Sequence, residues 1–355
     1  MLIPEFLIEK NHPAEPLACL LWRAHDYARG LVCTALEERS HGEISQVASL
    51  TAADTIYGID VVAESALLHF LEAHQNEVPA FLLVGEFERG EAISFGKGQP
   101  QFRVLLDPVD GTRLLMHKKS SGWILTGIAP ERGDDTRLSD IFFALQTELP
   151  TPKQVYADTF WASAHTLSAG VRQNLFTGEQ SILRLQTDAA SDLHHGFISF
   201  VNLFPRGKAL ISAIEEEFLY SPSVLTQPAP QNADPEKTLV KTETQVFEDQ
   251  HLSTGGQLYA LMTGQLRLVV DLRSALNVHW RAHRKTTILC AHPYDLATWL
   301  IAQQSGVILC SLDGSSLDGP THPTAEIGWI GFANLTLAQR YLPSLLQVFR
   351  RHELI

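Results

Sequence analysis

Two aspartates, Asp107 and Asp110, flank Pro108-Val109 in the segment LLDPVDGT. Proline fixes its own φ and restricts the residue before it, so this turn aims two carboxylates at one point. Gly111 permits close backbone approach. The amides of Gly111 and Thr112 open the helix expected next, and free amides at a helix start bind anions. The segment therefore offers hard oxygen ligands beside an anion cradle, a pairing that suits Mg²⁺, which favours carboxylates, water and phosphate oxygens. Asp-Pro and Asp-Gly pairs are equally at home in plain surface turns. Three more acids share the setting: Glu86 follows the apolar run Ala80 to Val84, Asp60 opens the run YGIDVVAES, and Asp295 opens YDLATWLIAQQSG. An Asp at a helix start is also a good cap on its own account.

Elements that would position these acids are readable from periodicity. Leu17, Leu20, Leu21, Ala24, Ala28, Leu31 and Ala35 recur at helical spacing behind Pro16, which predicts a helix over Leu17 to Glu38. A second helix is predicted from Asp60 to Ala73, with Val62, Ala63, Ala66, Leu67, Phe70 and Leu71 inward. Short apolar runs predict strands at Ala80 to Val84, Arg103 to Leu106 and Trp123 to Ala129, the first two ending at Gly85-Glu86 and Asp107-Pro108. Later strands are expected at Phe197 to Leu203, Leu266 to Val270 and Val307 to Cys310. Helices are expected at Lys208 to Leu219, Gly256 to Met262, Tyr294 to Gln304 and Leu335 to Arg351. Prolines at 222, 228, 230 and 235 mark a surface loop over about 221–238. The alternation implies a layered α/β architecture, with an N-terminal α+β half (1–150) carrying Asp60, Glu86 and the DPVDGT loop, and a C-terminal α/β half (151–355) carrying Asp295.

Composition sets bounds on partners. The chain has 355 residues, 45% hydrophobic and 19% charged, enough for a sizeable core. Its formal charge of −13 argues against nucleic acid polymers, which are bound through a Lys and Arg surplus. Acid also repels a phosphorylated metabolite unless a bound cation reverses the local sign. Cys19, Cys33, Cys290 and Cys310 form no CxxC pair and read as free thiols. The N-terminal stretch lacks a basic region and a long apolar core, and no window approaches ~18 uninterrupted apolar residues. A soluble cytoplasmic protein is expected, with no membrane partner.

Five blocks, AADTIYGIDVVAE, VGEF, LLDPVDGT, STGGQLYALMTGQLRLVVD and YDLATWLIAQQSG, resemble in order the signature blocks of the inositol monophosphatase and fructose-bisphosphatase superfamily. DPVDGT is the most specific. The resemblance covers roughly residues 45 to 130 and 250 to 310, and residues 131 to 250 match poorly. It implies an α-β-α-β-α layered fold and a Mg²⁺-dependent phosphomonoesterase, with a homodimer as the default assembly. By position it implies side-chain metal ligands at Glu86, Asp107, Asp110 and Asp295, with the carbonyl of Val109 as a backbone ligand. Asp60 and Thr112 would orient and deprotonate the attacking water, and the Gly111 and Thr112 amides would hold the phosphate. Two or three Mg²⁺ ions would activate the water and neutralise developing charge. Phe87 stands where the family usually has a second Glu, with Glu88 one further on. Tyr294 replaces a Trp and Tyr57 a Thr. Inositol monophosphatase activity proper, a sugar or nucleotide bisphosphate phosphatase, and a metal-binding pseudoenzyme serving as an interaction subunit are the competing readings.

Other motifs carry less. GEAISFGKG has the wrong spacing for a P-loop and lacks a Ser or Thr after Lys97. His279 and His283 are four apart, but Trp280 lies between them and no third ligand is evident. His194-His195 reads as a solvated turn. Arg281, Arg284 and Lys285, ten to fourteen residues before Asp295, form a basic run in an acidic chain and are candidates for a substrate's remote anionic group. Arg206 and Lys208 are a weaker pair. A solvated face or a subunit contact is the competing explanation of the run.

Overall fold

The computed structural model describes residues 7–50, 55–85, 87, 92–164, 166–225 and 245–355. Among the described residues, two large sheets and three layers of helix make up the body, beside a small antiparallel pair of strands, Val47–Leu50 and Thr55–Tyr57. The larger sheet has eight strands, in spatial order Gln180–Leu183, Thr166–Asn174, Tyr156–Ser163, Phe143–Leu149, Gly122–Pro130, Phe102–Asp110, Phe81–Gly85 and Ala92–Phe95. Only Phe81–Gly85 and Phe102–Asp110 pair in parallel; the other joints are antiparallel.

The central strands are buried on both faces, and their side chains alternate between two cores as period-2 geometry requires. Val104, Leu106 and Ile124 join one apolar cluster with Trp22, Leu67 and Phe81. Leu105 and Leu125 join another with Phe160, Trp329 and Phe332. Each fully buried Leu or Phe of this kind contributes about 1.5–3 kcal/mol. On the first face lie the helices Glu15–Glu38 and Gly58–His74; on the second lie Thr254–Met262 and Trp299–Gln304. Beyond these comes a five-stranded sheet, in order Phe247–Glu248, Phe197–Phe200, Leu268–Asp271, Trp329–Phe332 and Ile308–Ser311. The helices Lys208–Leu219 and Leu335–Arg351 cover its far side. The layering is therefore α-β-α-β-α.

Several expectations are met at their bounds, among them the helices Lys208–Leu219 and Leu335–Arg351. Others shift for local reasons. The strand expected to end at Leu106 continues through Asp110, because a bulge between Asp107 and Asp110 keeps it paired with Gly122–Pro130. The helix expected from Tyr294 begins as turns and becomes regular only at Trp299. Leu31, expected inward, is exposed, and Val32 is buried beside it. A division near residue 150 does not follow the sheets: strands up to Leu183 complete the first sheet, and the second begins at Phe197. The poorly matched segment after residue 130 thus supplies four strands to a shared layer. Of the proline-rich stretch, Pro222–Leu225 forms one helical turn, and residues 226–244 lie outside the described residues. His194 sits in a turn as expected, yet it is buried, with Nε2 at 3.0 Å from the Val224 carbonyl. All four cysteines are free. Among the described residues, no helix is long and apolar enough to cross a membrane.

Candidate metal and phosphate site

At the bulge, strand geometry gives way to a turn that carries both aspartates. Asp107 Oδ1 accepts from the Val109 amide at 2.9 Å, closing the turn upon itself. Asp110 is buried and clamped by the start of a distant helix. Its carboxylate accepts from Ser253 Oγ at 2.8 Å, the Thr254 amide at 3.2 Å and the Gly255 amide at 2.5 Å. Ser253 also caps that helix through the Gly256 amide at 2.8 Å. Position 255 has to be glycine: a Cβ there would stand 2.8 Å from Asp110 Oδ2 and 2.6 Å from the Leu125 side chain. Gly111 adopts φ +87°, a left-handed conformation that turns the chain directly into the short helix Thr112–Met116.

Asp60 lies in the first turn of Gly58–His74. Its Oδ2 accepts from the Tyr57 amide at 2.8 Å, and its Oδ1 lies 2.7 Å from Thr112 Oγ1. The same hydroxyl is 2.7 Å from the Val109 carbonyl, so one proton faces two acceptors. Asp295 comes from the other end of the chain. Its Oδ2 accepts from the His292 amide at 2.5 Å. The segment before it is pinned to the helix Arg273–Ala282: Asn277 exchanges bonds with the Ile288 backbone at 2.7 and 2.8 Å, and Arg273 Nη1 donates to the Leu289 carbonyl at 3.1 Å. Buried Gln146 joins the two halves, donating to the Gly255 carbonyl at 2.9 Å and accepting from Thr298 Oγ1 at 2.9 Å.

One cleft results. Carboxylate oxygens of Asp107, Asp110 and Asp295 lie within 4.8 Å of one another, which is ligand spacing for a single ion. Packing them together disfavours their charge. Burial first, and then the charge of Asp295, pushes the Asp110 carboxyl up to about 7. Burial, Asp110 and Asp295, in that order, raise Asp107 well above the usual carboxylate range. A hard cation among all-oxygen donors would relieve both, so the residues present fit a divalent ion of the Mg²⁺ type.

Asp60, Val109, Gly111 and Thr112 line the same cleft. Glu86 lies outside the described residues; the strand leading to it ends at Gly85, in register with Leu106. Phe87, conspicuous in the sequence, is buried in the core with Phe81 and Leu106. The basic run is not brought in. Arg281 pairs with Glu326, and neither Arg284 nor Lys285 lines the cleft. The rings of His279 and His283 lie beside each other, tilted by 35°, with His283 Nδ1 at 2.8 Å from the His279 carbonyl, as ordinary polar histidines do.

Some cleft residues were not singled out from the sequence. Glu64, buried, lines the cleft one helical turn after Asp60, a spacing that places both on one face. Arg113 directly follows Thr112. Ser253, Arg273 and His292 also line it, and no local pattern announces them.

Searches of protein-family models and of curated proteins find no match. Solved structures do match. Fructose-1,6-bisphosphatase from Leishmania major superposes with a TM-score of 0.63 at 15% identity, covering 96% of each chain. A hypothetical Pyrococcus horikoshii protein with similarities to inositol-1 monophosphatase gives 0.58 at 17% identity, over 94% of this chain and 97% of that one. The extragenic suppressor protein suhB from Bartonella henselae gives 0.59 at 13% identity, over 93% and 98%. The chain has the fold shared by structures of the inositol monophosphatase and fructose-1,6-bisphosphatase superfamily.

Proposed function

We propose that this protein is a divalent-cation-dependent phosphomonoesterase acting on a small phosphorylated metabolite, with Mg²⁺ as the fitting ion. The observation that carries the reading is the triad Asp107, Asp110 and Asp295 within 4.8 Å, set in one cleft with the Asp60–Thr112 pair. Asp107, Asp110 and Asp295 would hold the ion, with the Val109 carbonyl and Glu86 as further donors. Bound there, a divalent cation supplies Lewis-acid activation and neutralises phosphoryl charge.

The chain's own residues do the rest. Thr112 Oγ1 accepts a hydrogen bond from the attacking water and donates its own proton to Asp60, 2.7 Å away. Asp60, fixed by the Tyr57 amide, is the general base through that hydroxyl. The Gly111 and Thr112 amides receive the phosphate. The acids lining the cleft exclude a bare anion, so substrate entry depends on the ion.

On substrate, the approach to Asp295 reads KTTILCAHPYD, with no carboxylate back to Asp271, and Asp271 is committed to Arg273 at 2.6 Å. The resemblance implies that members acting on inositol monophosphate carry an acid at that approach to hold ring hydroxyls, and its lack here favours a sugar or nucleotide bisphosphate. The test is phosphate release over a metabolite panel, with Mg²⁺ and with EDTA, on the wild type and on Thr112→Ala. Release is expected only with Mg²⁺, and Thr112→Ala is expected to lower kcat by roughly 10²-fold with KM changing much less. EDTA-insensitive release would sink the metal reading; a change in KM alone would make Thr112 a binding residue.

A further inference from the structure

The approach to Asp295, KTTILCAHPYD, brings His292 to the cleft wall. The residue is only 6% exposed and is fixed from three sides. Its amide donates to Asp295 Oδ2. Its ring stacks on that of Tyr294, with centroids 5.4 Å apart and planes 25° from parallel. Its Nδ1 lies 2.9 Å from the Ala325 carbonyl. The chain at Ala325 is itself tied to this segment, because Ala291 and Ile327 form a bridge in which the Ile327 amide donates to the Ala291 carbonyl at 2.8 Å.

A carbonyl oxygen can only accept, so Nδ1 carries the ring proton. In the neutral imidazole Nε2 then keeps a lone pair. Among the described residues, no group bonds Nε2. Nor is the ring one of the side chains that converge within 4.8 Å on the ion position, which are Asp107, Asp110 and Asp295. The cleft therefore has an uncharged acceptor beside the ion site, on the Asp295 side. The amides assigned to the phosphate belong to the other turn, at Gly111 and Thr112, which leaves this wall to the alcohol part of an ester. Such an acceptor discriminates by what it can be offered. A phosphate or carboxylate anion brings it no proton; a hydroxyl does.

We propose that His292 Nε2 is a specificity group that accepts a hydrogen bond from a substrate hydroxyl on a carbon next to the phosphate ester, so that the preferred alcohol is a sugar or another polyol. The inference rests on the phosphomonoesterase reading and deepens it. The segment before Asp295 has no acid to hold hydroxyls, and it supplies an imidazole of fixed orientation for that purpose.

The test compares glycerol 2-phosphate, with a hydroxyl on each carbon flanking the ester carbon, and isopropyl phosphate, which has the same skeleton and no hydroxyl. Both are assayed with Mg²⁺ on the wild type, His292→Gln and His292→Phe. Gln keeps an acceptor near the place of Nε2; Phe keeps a ring against Tyr294 and removes both nitrogens. A hydrogen bond between neutral groups supports a preference of roughly three- to tenfold. The wild type's kcat/KM is expected to favour glycerol 2-phosphate by about that factor. The preference should vanish in His292→Phe, through loss on glycerol 2-phosphate, and be partly retained in His292→Gln. A purely structural role, through Ala325 or Asp295, would lower both substrates alike. No preference in the wild type, or the same ratio in all three proteins, would overturn the proposal.

Binding separates this inference from the reading beneath it. If the wild type hydrolyses neither ester, the unfolding midpoint with Mg²⁺ and each ester is the deciding measurement. A larger rise with glycerol 2-phosphate that disappears in His292→Phe upholds the subsite although the phosphatase reading fails. Equal rises, or none, reject the subsite.

Discussion

The two turns that deliver carboxylates to the cleft are held by different means. The backbone of the Asp107–Thr112 turn is largely self-made, although its Asp110 carboxylate is clamped by the distant helix start at Ser253–Gly255: Pro108 restricts it, a bulge bends it, the Val109 amide bonds Asp107 at 2.9 Å, and Gly111 at φ +87° ends it. The Asp295 turn has local bonds, its carboxylate accepting from the His292 amide and its own amide donating to the His292 carbonyl at 3.1 Å, and also a frame built from far away. Arg273, Asn277 and Gln146 lie 16, 11 and 152 residues from the groups they hold at Leu289, Ile288 and Thr298. A self-made turn concentrates its chemistry in a short motif. A framed turn spreads its chemistry over the fold, and its vulnerable points lie outside the motif.

Breaking the self-made turn at its most connected residue should have the largest effect. Asp110→Asn retains one oxygen for the helix start at Ser253–Gly255 but loses the charge that a cation needs. Its amide nitrogen would also face the donors that now bond Oδ2. Activity is expected to fall by roughly 10³-fold or more, the scale of losing a central electrostatic group. Circular dichroism should remain close to wild type. Near-normal turnover would remove Asp110 from the ligand set.

The framed turn should respond more mildly and from a distance. Gln146→Leu leaves the Gly255 carbonyl and the Thr298 hydroxyl without their partner, and unsatisfied buried groups cost about 1–3 kcal/mol each. Neither group touches the carboxylate oxygens, so the damage reaches the site as displacement. A drop in kcat of roughly tenfold is expected, with a lowered Tm. Thr298→Val, which strands only one partner, should lie between wild type and Gln146→Leu on both scales. If Gln146→Leu lowered Tm without changing kcat, the frame would be stabilising the fold and not the site.

What the sequence disclosed follows the same division. LLDPVDGT could be read as a ligand turn because its geometry is local, and the helix of Asp60 because amphipathic periodicity is local. The basic run was misleading because nearness along the chain was taken for nearness in space. Helix Arg273–Ala282 carries Arg273, Asn277 and Arg281 along one face, and eight residues of helix move a side chain about 12 Å along the axis. Arg273 therefore lines the cleft, while Arg281 bonds Glu326, as Asn277 also does at 3.0 Å. Ser253 was quoted within a matching block, but its bond to Asp110 spans 143 residues, and no spacing rule reports that. Phe87 looked like a lost acid and is a core residue, since side chains next to a strand end can turn to either face.

The strand that carries Gln146 offers a last comparison, between its own two faces. Gln146 points to the cleft side, and the next residue, Thr147, points to the helix Glu15–Glu38. There the fully buried His25 lies with Nδ1 at 2.9 Å from Thr147 Oγ1 and Nε2 at 2.7 Å from Thr126 Oγ1. Burial first, and then the charge of Arg29, lowers the His25 pKa from 6.5 to about 3. Unfolding would restore the ordinary value, so between pH 6.5 and 3 the unfolded chain binds a proton that the folded one refuses. This contribution to stability is fully present above pH 6.5 and is lost as pH falls toward 3. The slope is at most about 1.4 kcal/mol per pH unit for one such group. His25→Gln keeps a polar partner for the threonines and does not titrate. Its stability curve, from urea unfolding at several pH values, should be flatter than the wild type's through that window by up to that slope, and kcat at neutral pH should be close to unchanged because His25 lies on the face away from the cleft. Parallel curves would mean that His25 is not held neutral, and that the hydroxyl pair solvates its charged form instead.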